Sequence, residues 1–353
     1  MKLLNYLLVV FLFVSACKKD TKEETPVLPA DYGSGMYIVT ENGISFYDGE
    51  VVKNQIYQKV NGRSIFNGKK IKFRGTKAYI VTDNQILTAN VKTFENKEEI
   101  KGFTNAVDFD FVSNNRLFVV DQADAKIKVV DLLTLDITSD IETGNNTQPV
   151  FIVSKWWRSI VLNGGLVADF LKDSTIVAID YSDNLVPLAD FNGSVYVGDN
   201  PNSAVWINDL KILCKGIYDP NNLLNNTEAI LVRVHPWNME VVWVQTLSNI
   251  YNAQNLISES SDAKYFFTAA DGVYQMNNDG SGISKKINFT SDFIDIKVES
   301  YDLTDTTSAY ANMLYVNDAI NNPNTIYKYN IATSVFSDTI VVDGNVRDIA
   351  FYE

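Results

Sequence analysis

His235 is the only histidine in the 353-residue chain, and Cys17 and Cys214 are its only cysteines. That inventory leaves little for a zinc site, a disulfide scaffold or a histidine-based catalytic machine. His235 ends the run Ile230-Leu231-Val232-Arg233-Val234 and is followed by Pro236, which favours a turn position over a catalytic one. Cys214 lies in an apolar run, where a thiol packs as a small hydrophobe, since activation needs a cationic or polar neighbourhood. Trp156-Trp157-Arg158 places two indoles beside a guanidinium, a set suited to core packing or to contact with a partner protein more than to a small molecule. Asn277-Asn278-Asp279-Gly280 and the stretch from Asp318 to Asn324 gather oxygens of the kind Ca²⁺ takes. Neither has EF-hand spacing, and Asn-Asp-Gly is first of all a hairpin signal. No Walker loop, G-x-S-x-G elbow or H-E-x-x-H is present. No cofactor is expected, with Ca²⁺ the one left open.

The elements that must position these residues are strands. The chain is 46% hydrophobic and 12% aromatic, too apolar for a disordered chain. Its 18 Tyr and 19 Phe, set among Val, Ile, Thr, Asn and Asp, favour strands and turns. The formal net charge of −13 argues against nucleic acid as a partner, because phosphate neutralisation needs a Lys/Arg surplus.

One strand pattern recurs seven times. Its copies are residues 36–40, 78–82, 116–120, 159–163, 211–214, 264–268 and 313–317, each a run of apolar and aromatic residues. Anchored on Tyr37, Tyr79, Leu117, Ile160, Ile212, Tyr265 and Leu314, the spacings are 42, 38, 43, 52, 53 and 49 residues. Such spacings lie within a few residues of the ~40–50 residues of propeller blades. A further strand follows each copy and stops at a turn former, such as Asp48, Asn90, Asp131, Asp180, Asn277 or Asn330. An inner strand precedes each copy except the first, and the C-terminal Val346-Arg347-Asp348-Ile349-Ala350-Phe351-Tyr352 has that same inner-strand pattern. The reading is an all-β, seven-bladed β-propeller of four-stranded blades, with the C-terminal strand completing blade one and closing the ring.

Ahead of the repeats lies an address. Lys2, the apolar run Leu7 to Val14 and the small residues Val14-Ser15-Ala16 before Cys17 have the three parts of a signal peptide. Val-Ser-Ala-Cys resembles the lipobox of bacterial lipoproteins, which implies cleavage after residue 16 and acylation of Cys17. Residues 17–34, charged and punctuated by Pro26 and Pro29, read as a disordered tether, and residues 35–353 as a single propeller domain.

The Tyr-Ile-Val-Thr forms of the repeated strand resemble the YVTN-type seven-bladed propellers. Gly198-Asp199-Asn200-Pro201-Asn202 leading into Leu210-Lys211-Ile212-Leu213-Cys214 is similar to a signature of a surface-lipoprotein branch of that family in Bacteroidota. Where relatives often carry an aromatic before Val-Leu-Cys, this chain has Lys211-Ile212. The resemblance implies an outer-membrane, lipid-anchored, surface-exposed location, with a periplasm-facing anchor staying open. It also implies a neighbouring TonB-dependent transporter or other surface protein as partner; some relatives capture cobalamin.

In such a ring, the loops from second to third strand and the links between blades gather at one mouth. The long ones, from Gly164 to Asp173, Asn192 to Asn202, Lys215 to Thr227 and Leu247 to Asn255, carry Tyr196, Asn200, Tyr218 and Tyr251. These four are the candidate ligand mouth for a sugar-like or ring-bearing ligand. Trp156, Trp157 and Arg158 fall on the opposite face and are the candidate partner face. Three functions stay open: a binding module that captures a ligand or docks a transporter, a propeller enzyme of lyase or hydrolase type, and a structural surface protein without a small ligand.

Overall fold

The second strands of the seven blades are Gly35–Thr40, Lys77–Val81, Arg116–Asp121, Arg158–Asn163, Leu210–Cys214, Lys264–Ala269 and Ala311–Asp318. Their central residues are mostly apolar because each strand is sandwiched between neighbouring blades, and residues 36–40, 78–81, 117–121, 158–163, 210–214, 265–269 and 313–318 are buried. The computed structural model describes residues 31–144, 147–165, 173–181, 194–259, 262–299 and 311–353. Among them, seven four-stranded antiparallel sheets close into a β-propeller. The lipobox, most of the tether and the middle of the loop from Gly164 to Asp173 lie outside the described residues.

The turn residues work as their chemistry requires. Asp48, Asn90, Asp131 and Asn330 each end a third strand and accept hydrogen bonds from the backbone N–H groups of Val51, Lys92, Leu133 and Thr333 respectively. These side chains stand in for the backbone acceptors a tight turn lacks. The outer strands are the polar edges; Glu240–Thr246, for example, is exposed or half-buried throughout.

Inner strands are clasped to one another by side chains. The Ile71 N–H of blade two donates to Asp348 Oδ2 of blade one at 3.0 Å. The Ile152 and Ser154 N–H groups of blade four donate to Asp108 and Asp110 of blade three at 3.1 and 2.7 Å. Leu256 of blade six donates to Ser203 Oγ of blade five at 2.9 Å. These bonds occupy N–H groups that an inner edge would otherwise leave without partners.

The C-terminal strand Val346–Tyr352 pairs antiparallel with Gly35–Thr40, from Gly35 opposite Tyr352 to Thr40 opposite Val346. The two ends of the chain therefore share blade one. Two details depart from the sequence reading. The outer strand of blade one is only Val52–Lys53, and a short helix, Ile56–Asn61, follows it with Ile56 and Tyr57 buried. Packing also starts ahead of residue 35, since Tyr32 meets the rings of Phe46 and Phe94 edge-on at 5.4 and 5.9 Å. No helix among the described residues is long and apolar enough to cross a membrane.

Candidate binding face on blades four and five

Trp156 and Trp157 form the whole turn between the inner strand Pro149–Lys155 and the second strand Arg158–Asn163 of blade four. They are 60% and 58% exposed. Two more tryptophans join them from blade five. Trp206 closes the inner strand Pro201–Trp206, and Trp237 lies in the turn between Ile230–His235 and Glu240–Thr246. Trp156 stacks on Trp237 at 5.6 Å and 19°, Trp157 meets Trp237 at 5.3 Å, and Trp206 stands edge-on to both Trp156 and Trp237. The Trp206 Nε1 atom is buried with no hydrogen-bond partner among the described residues.

Holding two indoles in solvent costs free energy twice. The bare apolar surface forgoes burial. The backbone of Trp156 also sits at φ +57°, in the left-handed region that a bulky side chain rarely enters. Several groups fix it there. The Tyr181 hydroxyl donates to the Trp156 carbonyl, and the Tyr181 N–H donates to the Trp157 carbonyl at 3.0 Å. Lys155 Nζ lies 4.6 Å from the centre of the Trp156 ring.

Arg158, expected to face a partner, points inward instead and is buried. Its Nε and Nη2 grip the Asp180 carboxylate as a fork, while Nη1 donates to the Pro236 and Trp237 carbonyls of blade five at 2.9 and 2.6 Å. The physical reason is register: as first residue of a second strand it enters the sandwich between blades, where a guanidinium must be fully bonded. It is a clamp under the tryptophans, not a contact on the surface.

Beside the tryptophans lies a cleft of about 460 Å³. Arg74 of blade two, Phe111, Ser113 and Asn114 of blade three, and Ser154 and Lys155 of blade four line it. Arg74 donates to the Ser113 carbonyl and to Asn114 Oδ1, with its guanidinium over the Phe111 ring.

The other expected site residues are spread differently. Tyr196 is not on a loop: with Val195 it forms the short outer strand of blade four, opposite Thr175, and is 66% exposed. Asn200 is buried at φ +57° and its amide is spent on structure, donating to the Gly216 carbonyl at 2.9 Å and accepting from the Asp173 N–H at 3.3 Å. The neighbouring Gly198, at φ +130°, has no room for a Cβ, which would fall 2.3 Å from Ile230. Tyr218 lies between the second and third strands of blade five and Tyr251 in the link to blade six; both are half-buried. None of these four lines the cleft beside the tryptophans.

His235 takes the turn position: its carbonyl accepts from the Met239 N–H at 2.9 Å and its ring is exposed. Cys214 is fully buried, burial pushes its thiol far up, and its nearest polar contact is the Val197 carbonyl at 3.8 Å. In the two oxygen-rich stretches the side chains bond their own turns: Asp279 accepts from the Ser281 N–H, and Asp318 from the N–H groups of Ile320 and Asn321. No group of three or more metal-ligating side chains of the His, Cys, Asp and Glu types exists among the described residues.

Sequence reasoning missed the charges between the inner strands. Lys70 and Lys72 reach Asp108 at 3.1 and 3.3 Å. Burial alone would raise the Asp108 pKa, but the two lysines outweigh it and hold it below the usual value. A second cavity, of about 270 Å³, is lined by Lys70, Lys72, Asp295 and Asp348. Burial pushes Asp295 up to about 7, with the Asp348 charge adding to it, and pushes Asp348 up to about 6.

No protein-family model matches the sequence, and no curated protein matches it. Solved structures do match over most of the chain. A protein of Bacteroides fragilis assigned provisionally as a 6-phosphogluconolactonase shares 11% identity, with a TM-score of 0.66 over 92% of this chain and 99% of its own. Its counterpart from Bacteroides uniformis also shares 11%, with a TM-score of 0.65 over 91% of this chain and 99% of its own. A quinoprotein alcohol dehydrogenase-like protein of Bacteroides thetaiotaomicron shares 12%, with a TM-score of 0.63 over 91% of this chain and 79% of its own. At these identities the likeness establishes the fold, a seven-bladed β-propeller with structural counterparts in Bacteroides.

Proposed function

We propose that this chain is a lipid-anchored cell-envelope propeller of the YVTN-like surface-lipoprotein kind, working as a binding module through the tryptophan face of blades four and five. The observation that carries the reading is the exposure of Trp156 and Trp157 on a strained, clamped turn. Large exposed aromatic surface of this sort marks interaction sites. The lipobox-like Val14-Ser15-Ala16-Cys17 and the charged stretch after it support the anchor. The lyase or hydrolase reading draws on a different place: Asp295 and Asp348 titrate near neutrality beside two lysines, as acid–base pairs do. Against it, the Asp348 carboxylate is already engaged by the Ile71 N–H.

Two measurements test the proposal. Cys17→Ser should release the protein from the membrane fraction and remove fatty-acid label while the domain stays folded; a variant that still carries label and still pellets overturns the anchor. Immobilised full-length protein should retain an envelope component that purified Trp156→Ala/Trp157→Ala protein binds at least tenfold more weakly in direct titration. Equal binding by both overturns the tryptophan face, and retention of nothing by either leaves the structural-protein reading in its place.

A further inference from the structure

We propose that the tryptophan face and the adjoining cleft form a subsite for an acidic sugar, a pyranose ring carrying a carboxylate within a glycan; this rests on the binding-module reading above. Four observations choose that chemistry.

First, the platform calls for a ring with an apolar face. Trp156 has Trp237 stacked on it at 5.6 Å and Lys155 Nζ 4.6 Å from its ring centre, and Trp157, 58% exposed beside it, meets Trp237 at 5.3 Å and adds the second indole of the platform. The axial C–H groups of a pyranose carry slight positive charge and match the negative face of an indole. Second, a cationic ligand is disfavoured, because Lys155 Nζ already lies over Trp156 and the Arg158 guanidinium lies 5.3 Å from the Trp237 ring. Third, the cleft's lining carries two cations, Arg74 and Lys155, and no carboxylate, in an acidic protein. The chain has 43 acidic and 30 basic residues. Yet Arg74 and Lys155 have, among the described residues, neutral oxygens as their hydrogen-bond acceptors: the Ser113 carbonyl and Asn114 Oδ1 for Arg74, the Ile207 carbonyl for Lys155. A carboxylate held there gains charge-assisted hydrogen bonds. Fourth, Ser113, Asn114 and Ser154 supply neutral groups suited to ring hydroxyls, and about 460 Å³ lies within the roughly 300–1,000 Å³ range of small-ligand sites. Rigid placement completes the case. The strained Trp156 turn and the buried Arg158 clamp fix the indoles before the ligand arrives, which lowers the entropic cost of binding.

Detergent-solubilised full-length protein would be run in native gels containing polygalacturonate, alginate or hyaluronate. Control gels hold dextran, methyl-esterified polygalacturonate, or polyacrylate, which has the charge without the ring. The expected result is retardation by at least one polyuronate and by none of the controls. Trp156→Ala/Trp157→Ala should abolish it, and Lys155→Gln should weaken it about tenfold. If the double variant folds poorly, Trp157→Ala alone serves, since that residue has an ordinary backbone. Failure with all three polyuronates, equal retardation by the methyl ester or by polyacrylate, or retardation that survives the tryptophan variants overturns the proposal. Should the polyuronates fail while an envelope protein still binds in a tryptophan-dependent way, the binding face stands and the sugar assignment alone falls.

Discussion

Trp156 shows how a single residue can be poor for stability and good for binding. A left-handed backbone under a large side chain costs about 1–3 kcal/mol. Its stacking on Trp237 returns about 0.5–1.5 kcal/mol. Trp156→Gly should therefore lower the unfolding free energy by no more than about 1 kcal/mol in urea titration, while removing binding. A loss of about 3 kcal/mol or more would mean that the indole serves the core. Tyr37, fully buried, supplies the contrast: Tyr37→Ala should cost ~3–5 kcal/mol as a large-to-small core change. Asp295 behaves in yet another way. Its carboxyl is raised to about 7 in the folded protein against 3.8 when unfolded, so between those values the folded state binds more protons. Stability from this group is complete below about pH 4 and is lost as the pH rises through 7. The facing groups are Asp348, Lys70 and Lys72, and only Asp348 adds repulsion. Asp295→Asn should thus be more stable than wild type at pH 8, with the difference shrinking toward pH 4. Carboxylates with lowered values, such as Asp83 and Glu99, destabilise both proteins equally on acidification and cancel in the comparison. A difference that ignores pH between 4 and 8 would rule the account out.

At the scale of elements, the strands were legible and their side-chain business was not. Apolar runs such as Tyr265-Phe266-Phe267 announce strands buried on both faces, and the Asp or Asn after a third strand announces its turn. Trp156-Trp157 fall between an inner and a second strand of the repeat, which places them at a turn on the face opposite the mouth. Trp206 and Trp237 were not legible as their neighbours, because the four meet only through the packing of blade four on blade five. Arg158 was misjudged on similar grounds: sequence shows a cation beside two indoles, but only the strand register shows that it enters the interior. Asn200 and Tyr196 were assigned to a ligand mouth from loop length; one is consumed by backbone groups and the other is paired in a strand. Val107-Asp108-Phe109-Asp110-Phe111 reads as an inner strand, but that its aspartates clasp the next blade shows only in the packing. Arg158 carries the test at this scale. Replacing it with Met strands the Pro236 and Trp237 carbonyls and leaves Asp180, a third exposed, without its fork. A loss of about 3 kcal/mol is expected, less than for a fully buried pair because water can reach Asp180. The tryptophan emission should shift as the platform loosens. Arg158→Lys should recover little, since an ammonium cannot bond the carboxylate and two carbonyls at once. A Met variant as stable as wild type would mean that the clamp is ornamental.

The whole molecule is a ring, and the chain joins itself in blade one. Every other blade is built from consecutive strands; blade one takes its inner strand from the far end of the sequence. Closure therefore depends on Val346–Tyr352, which pairs with Gly35–Thr40 along its length. The same strand buries Val346 and Ile349 between blades, and its Asp348 accepts from Ile71 of blade two. Deleting residues 346–353 thus removes a sheet edge, two core side chains and an inter-blade clasp together. The two side chains alone are worth roughly 4–10 kcal/mol at ~2–5 each, against a typical total stability of about 5–15 kcal/mol. The truncated protein should unfold globally or populate an open ring, with early exposure of blades one and seven to hydrogen exchange. Blade seven suffers because Ile349 belongs to the apolar layer that also holds Phe293, Met313 and Tyr315. Adding back a peptide spanning residues 344–353 should restore part of the melting temperature, since it supplies the same edge without the covalent link. If the truncated protein melts within a degree or two of the parent, the ring is held by its remaining strands and the terminal strand is an addition to a structure already closed.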